Sequence, residues 1–188
     1  GTNHLEAAAM VSHTMIRDWP ELTGGYFQLL YFHCINEKVP VLDTETVKTK
    51  VRAGNFDFAT IGYLRKLVTL VNEGQCSGIS AQQIIHLIEA VRENPKFKED
   101  HRLLPLVASL FSGQGDYDSA AAIYSMLPRT PHFLLDQTRY LAAAGKYDKA
   151  LGLLVEAEVL LKNDFRKQSK LREVQVLRAA ILLDKKSE

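Results

Sequence analysis

Gly115-Asp116-Tyr117-Asp118-Ser119-Ala120 and Gly145-Lys146-Tyr147-Asp148-Lys149-Ala150 are two versions of one phrase, the second starting 30 residues after the first. Gly, Tyr, Asp and Ala hold the same places in both. An earlier stretch, Gly54-Asn55-Phe56-Asp57-Phe58-Ala59, keeps the frame with Phe in place of Tyr. Self-similarity at a period of about 20 to 50 residues marks a stacked repeat protein, and each member of the phrase has a mechanical role in such a stack. Gly takes the positive φ that ends one helix and turns the chain into the next. The aromatic wedges between the two helices. Asp caps the new helix by accepting from its free N–H groups, and Ala lets the pair approach closely. The phrase therefore predicts the hinge of an antiparallel helix pair.

Helical periodicity flanks both hinges. Residues 99–112 form a predicted helix that must absorb Pro105 in its first turn or as a kink, and 118–127 pairs with it across the Gly115 hinge. Pro128 and Pro131 close that unit early. The second pair spans 133–144 and 148–161. A final helix, 165–183, turns Leu171, Val174, Leu177, Ile181 and Leu182 inward, where a stack places its cap.

The preceding half is helical but irregular. A helix over 3–17 lines up Leu5, Ala8, Ala9, Ser12, Met15 and Ile16 and is stopped by Asp18-Trp19-Pro20, with Pro20 free to open the next. Residues 22–38 carry Tyr26, Phe27, Leu30, Tyr31, Cys34 and Ile35 at helical spacing. Thr44 opens a short helix up to Gly54, and 57–72 forms a longer one. Ser80 caps 81–92, whose apolar face is Ile84, Ile85, Leu87, Ile88 and Val91. No stretch alternates with period two. The expected fold is all-α, with about nine to ten helices. Residues 1–98 are an irregular helical array, and 99–188 are two helix pairs plus a capping helix, together one continuous domain.

Composition narrows the function. The chain has 188 residues, 23 Lys and Arg against 22 Asp and Glu, and a net charge of +1, so no global field draws it to nucleic acid or a lipid surface. No apolar run approaches the roughly 18 to 20 residues of a membrane-spanning helix; the richest, 103–111, contains Pro105. The start, Gly1-Thr2-Asn3, has neither an initiator Met nor a signal-peptide pattern, which suggests a processed protein or a piece of a longer one.

Catalytic signals are missing from the sequence. His4, His13, His33, His86, His101 and His132 lack the pairing and the Cys spacing of a metal site. Nucleophile elbows, phosphate loops and dinucleotide fingerprints are absent, and no cofactor is expected. His33-Cys34 invites a thiol-catalysis reading, but Cys34 falls on the apolar face of its helix, where a thiol is inert. Cys34 and Cys76 are compatible with one disulfide in an oxidising compartment and equally with two buried free thiols. Lys162, Arg166, Lys167, Lys170 and Arg172 form a late basic cluster opposed by Asp164 and Glu173. It lacks the interleaved aromatics that stack on bases, so a solvated helix face is expected and nucleic-acid binding is not.

Two resemblances add to these readings. Gly115, Tyr117, Ala120 and Tyr124, with Leu104, Ala108 and Phe111 upstream, resemble the tetratricopeptide repeat, a helix-turn-helix unit of roughly 34 residues. Gly145, Tyr147, Ala150, Leu154 and Ala157, with Leu134 and Leu141 upstream, match the same frame, and Gly78, Leu87, Ala90 and Pro95 give a weaker echo. The departures are Leu127 in place of the second Ala of the first unit, Pro131 one place early, and Lys162 in place of the closing Pro of the second. The resemblance covers 99–161. It implies a right-handed superhelix whose first helices line a groove, with Arg102, Ser109, His132 and Arg139 on its wall. Two arginines there suit a carboxylate or other acidic ligand; the alternative is that Arg139 pairs with Asp136 on its own helix.

The order of features is also similar to the C-terminal extramembrane region of bacterial O-antigen polymerase and ligase membrane proteins. Those features are a helical segment ending near Cys34, then Cys76-x-Gly78-Ile79-Ser80, Leu87-Ile88-x-Ala90 and Asn94-Pro95, then the Gly-Asp-Tyr repeat. This implies a periplasmic module of surface-polysaccharide assembly, tethered to a membrane domain without entering the membrane itself and not catalytic alone. Its partner would be a protein or peptide, or glycan. The competing expectations are a free-standing cytoplasmic adaptor, then a helical-repeat RNA-binding protein, and last an enzyme.

Overall fold

The computed structural model describes residues 2–40, 42–55, 58–76, 78–97, 100–162 and 168–187. Among them are ten helices and no strand, in two compact units, Gly1–Leu110 and Phe111–Glu188. The first unit holds α1 (Thr2–Asp18), α2 (Gly24–Ile35), α3 (Thr44–Ala53), α4 (Phe58–Asn72), α5 (Ala81–Glu93) and most of α6 (Leu104–Gly113). The second holds α7 (Tyr117–Ser125), α8 (Pro131–Ala143), α9 (Tyr147–Lys162) and α10 (Gln168–Ser187). The division falls inside α6.

In the first unit α1 packs on α2, α2 on α4, α3 on α5 and α4 on α5. Phe27, Leu29, Leu30, Leu64, Leu67, Ile84, Leu87 and Ile88 are fully buried, which is the apolar periodicity of α2, α4 and α5 placed inside. Local signals set the ends. Asp43 accepts from Thr46 N–H at 3.0 Å to start α3. Ser80 and Gln83 form a reciprocal capping box at α5, satisfying two backbone donors that the helix leaves open. Pro20 does not open α2 as expected; the chain makes a turn, Leu22 N–H donating to Trp19 O, and the helix begins at Gly24. Gly25, in the first turn of α2, lies close against α1: a Cβ there would sit 3.3 Å from Ile16 Cγ1.

The Gly54 copy of the phrase is not a hinge of the expected kind. Gly54 has φ −81 and ψ 170, while Gly115 and Gly145 have φ 79 and 70. Gly54 is needed for space: a Cβ would lie 2.7 Å from Lys50 O, 2.7 Å from Thr23 Cγ2 and 2.9 Å from Glu21 O. Asn55 exchanges backbone hydrogen bonds with this neighbouring turn, its N–H donating to Glu21 O at 2.6 Å and its O accepting from Thr23 N–H at 3.1 Å. Buried Asn94 donates from Nδ2 to both Val51 O and Gly54 O. Phe56 and Asp57 lie outside the described residues.

In the second unit α7 packs on α8, α8 on α9, and α10 on α9 and α8. Its core is Leu134, Leu135, Ala150, Leu154, Ala157, Leu161, Val174 and Ile181. Several expectations change from α6 onward. The helix expected from 99 starts at Leu104, because Pro105 sits in its first turn and residues 101–103 are turn and bend; Glu99 lies outside the described residues. Pro131 opens α8, capped by Thr130, instead of closing the unit before it, the position where a missing N–H costs nothing. The cap of α7 is Asp116, which accepts from Ser119 N–H at 3.0 Å; Asp118 is already inside the first turn. Leu182 is 43% exposed while Ile181 beside it is buried, and Phe165 lies outside the described residues. Ala120 and Ala150 are fully buried, as close helix approach requires, whereas Tyr117 stays 37% exposed and does not wedge deeply.

Candidate functional site

The second unit carries an open groove of about 490 Å³. Its floor is made by small side chains on the facing surfaces of α7 and α9, namely Ala121, Ala122 and Gly152, with Leu141 of α8 and Leu153 of α9 adding apolar surface. The two Gly-x-Tyr-Asp hinges build it. Each turns the chain so that α7 and α9 begin at equivalent places, and α8 lies against both. Gln137 Nε2 donates to Ala121 O at 3.2 Å and fixes α8 to α7 beneath the groove.

Charges rim the groove. Asp118 of the first phrase pairs with Lys146 of the second at 2.7 Å. Glu156 accepts from Nε and Nη2 of Arg129, and these hydrogen bonds hold its carboxyl below the usual carboxylate range. Lys149 lines the groove without an ion-pair partner among the described residues. The arrangement offers apolar surface with anchored charges at the edge. It brings together no nucleophile and base, and no cluster of potential metal ligands occurs among the described residues.

None of the residues expected on a groove wall lines this cavity. Arg102 is held by Asp100 through its Nε and Nη2, which pushes the Asp100 carboxyl down. Ser109 accepts from Asn72 Nδ2 at 3.0 Å. Both belong to the first unit. In the second, His132 Nε2 lies 3.6 Å from Asp136. Arg139 bonds Asp136 at 2.5 Å and also Glu173 of α10, so the intrahelical pairing weighed from the sequence is present. Beside this network Tyr124 packs on Phe133 and Tyr140, and burial first, then the charge of Asp136, raises its phenol well above its ordinary value.

The basic cluster is largely neutralised where it is described. Lys162 pairs with Glu158 and Lys170 with Glu173, whereas Arg172 has no such partner; Arg166 and Lys167 lie outside the described residues. Cys34 and Cys76 are joined, with Cα atoms 4.4 Å apart. His33, next to Cys34, donates from Nδ1 to Val39 O at 2.7 Å and packs so closely on Gly78 that a Cβ there would overlap its ring.

The groove escaped the sequence reading because its floor is small residues, which carry no chemical signature. The available signal was Gly152, an interior helix glycine with no backbone need for it, facing the Ala121-Ala122 pair. No helix among the described residues is long and apolar enough to cross a membrane. Neither a protein-family model, nor a curated protein, nor a solved structure matches the chain.

Proposed function

We propose that this chain is a non-catalytic binding and scaffolding module of tetratricopeptide-like helix pairs, working in an oxidising compartment. The setting we favour is the periplasmic tail of an O-antigen polymerase or ligase-like membrane protein, where it holds a protein or peptide partner, or glycan, during surface-polysaccharide assembly. The observation that carries this reading is the Cys34–Cys76 bond, because such bonds persist in the periplasm and outside cells and are reduced in most cytoplasms. The repeated positive-φ glycine hinges and the apolar groove with charged edges support a contact role.

Thiol trapping tests the compartment. Cells making the protein from its own gene are quenched in denaturant with an alkylating reagent, and the chain is weighed. Two unmodified cysteines, becoming reactive only after reductant, are expected. Alkylation of both without reductant sinks the periplasmic reading and favours the cytoplasmic adaptor. The membrane tether is tested separately by sequencing the gene upstream of Thr2, where several apolar segments of about 20 residues each are expected.

A further inference from the structure

The groove between α7 and α9 carries one unmatched charge. Four charged side chains line it, and three of them are matched. Asp118 pairs with Lys146 at 2.7 Å at the end where both helices begin, and Glu156, further along α9, accepts from Arg129. Lys149 is exposed and has no such partner among the described residues. Its own helix supplies none, because the positions three and four residues away, where helical side chains meet, are Gly145, Lys146, Gly152 and Leu153. Asp148 beside it is held by Lys185. The first turns of α7 and α9 add their positive dipole ends at the same place. Between the two ion pairs the floor is apolar, and Gly152 presents bare backbone to it: a Cβ there would meet nothing within 4 Å.

We propose, resting on the binding reading given above, that this groove seats an amphipathic helix of a partner protein, its apolar stripe on the Ala121-Ala122-Gly152 floor and an acidic side chain facing Lys149. Three features select this occupant. The unmatched cation and the helix N-termini favour a negative charge at that end, and an exposed pair of this kind fixes orientation and register more than it adds affinity. An extended segment would find no partner for its backbone. No strand occurs among the described residues, so its N–H and C=O groups would lie unpaired over apolar side chains. A helix bonds its own backbone, and small residues beneath it let the two surfaces approach closely. A glycan would bring hydroxyls to the same floor, where the one neutral polar side chain of the described lining, Gln137, already donates to Ala121 O.

A displayed library of helical peptides tests the proposal. Peptides of about 14 residues, roughly four turns, with Leu fixed at i, i+3, i+4 and i+7 and the other positions random, are panned against the whole disulfide-bonded chain. Enriched peptides are expected to carry Asp or Glu at one end of the stripe. Fluorescence anisotropy then compares their affinity for three variants. Gly152→Leu fills the floor from an exposed position, keeps the wild-type circular dichroism, and is expected to raise the dissociation constant ~10-fold or more by overpacking the contact. Lys149→Glu is expected to weaken binding about 3-fold at low salt, and exchanging the peptide's acid for Lys restores it. Gly62→Leu, at an equally open helix glycine of the first unit, leaves binding unchanged. Peptides that bind Gly152→Leu as tightly as the wild type overturn the groove assignment while leaving a binding module standing. Peptides that show no acid preference and ignore Lys149→Glu overturn the charge assignment and with it the proposed occupant. A library that yields no binder also overturns the proposal, and moves the partner of that module to the glycan class. None of these results bears on the compartment, which thiol trapping decides separately.

Discussion

The first unit is fastened between elements that are not consecutive in the chain, whereas helix packing in the second runs mainly from each helix to the next. Cys34 reaches Cys76 across 42 residues, the Thr23 and Thr60 hydroxyls meet at 2.9 Å across 37, and Asn94 grips the end of α3 across 40 and more. In the second unit each helix rests on its neighbour, and the phrase itself supplies the stitches. Asp118 of the first copy binds Lys146 of the second, and Asp148 of the second binds Lys185 of α10. The contrast teaches that a unit built by local repetition can tolerate the loss of a link, because stability in such stacks is close to a sum of neighbour terms. A unit closed by a few distant fastenings cannot.

Breaking the disulfide gives the largest expected effect and is confined to the first unit. Closing a 42-residue loop removes enough entropy from the unfolded chain to stabilise the fold by about 4 kcal/mol. A Cys34→Ser, Cys76→Ser variant should lose about that much on urea unfolding, with amide protection falling in α2 to α5 and surviving in α8 and α9. Uniform loss of protection along the chain would erase the distinction between the units.

Gly54 and Gly115 sharpen the same comparison, because they share a phrase and differ in cause. Gly54→Ala puts a Cβ against two backbone oxygens, which cannot swing away, and should destabilise by about 2 to 3 kcal/mol through overpacking. Gly115→Ala meets nothing within 4 Å and pays only for positive φ, about 1 to 2 kcal/mol. Asparagine separates the two mechanisms in thermal melts. It tolerates the left-handed region, so Gly115→Asn should recover most of the loss, whereas Gly54→Asn should be at least as damaging as Gly54→Ala.

These two glycines also show how far the sequence could be read. The helices, the buried faces of α2, α5 and α9, and the hinges at Gly115 and Gly145 were legible because they are local: periodicity, capping residues and a glycine needed for φ. Gly54 was misread because its reason lies in Glu21 and Thr23, more than 30 residues away. Pro131 was misread because proline ends one helix as readily as it begins another, and only Thr130 ahead of it decides. Of the two groove-wall arginines, Arg102 has a local partner, Asp100, two residues before it, whereas Arg139 also reaches Glu173, 34 residues on, a partner that only packing sets. The α7–α9 groove was hidden because open space leaves no mark beyond Gly152.

Gly152 and Gly62 provide a milder test, one in each unit. Both lie inside helices, neither has positive φ, and a Cβ on either meets nothing within 4 Å. Alanine at each site should therefore stabilise by roughly 0.5 to 1 kcal/mol, through the helix entropy that glycine forgoes. Equal gains in melting temperature mean that neither glycine is required by its own unit. A loss at Gly152 alone would show that the second unit needs a closer approach across its groove than its neighbour-to-neighbour packing implies.

The smallest expected effect lies at the helix caps, and its sign follows from two aspartates. Asp43 in the first unit is held below the usual carboxylate range by Thr46, backbone N–H first and hydroxyl second. Asp116 in the second is held down by the Ser119 side chain and then its backbone N–H. A depressed folded pKa means that the unfolded chain takes up the proton first. The caps therefore stabilise fully above the ordinary aspartate value of about 3.9 and lose that contribution as pH falls through the lower folded value. Asp43→Ala and Asp116→Ala should each lower stability at pH 7 and converge on the wild type in strong acid. The second hinge has Lys146 where the first has Asp116, so it contributes no such acid-sensitive cap. Hydrogen exchange resolved by helix should then show α7 loosening in acid before α9, although the same phrase opens both. If α9 loosens first, the caps do not set the order in which the repeat opens.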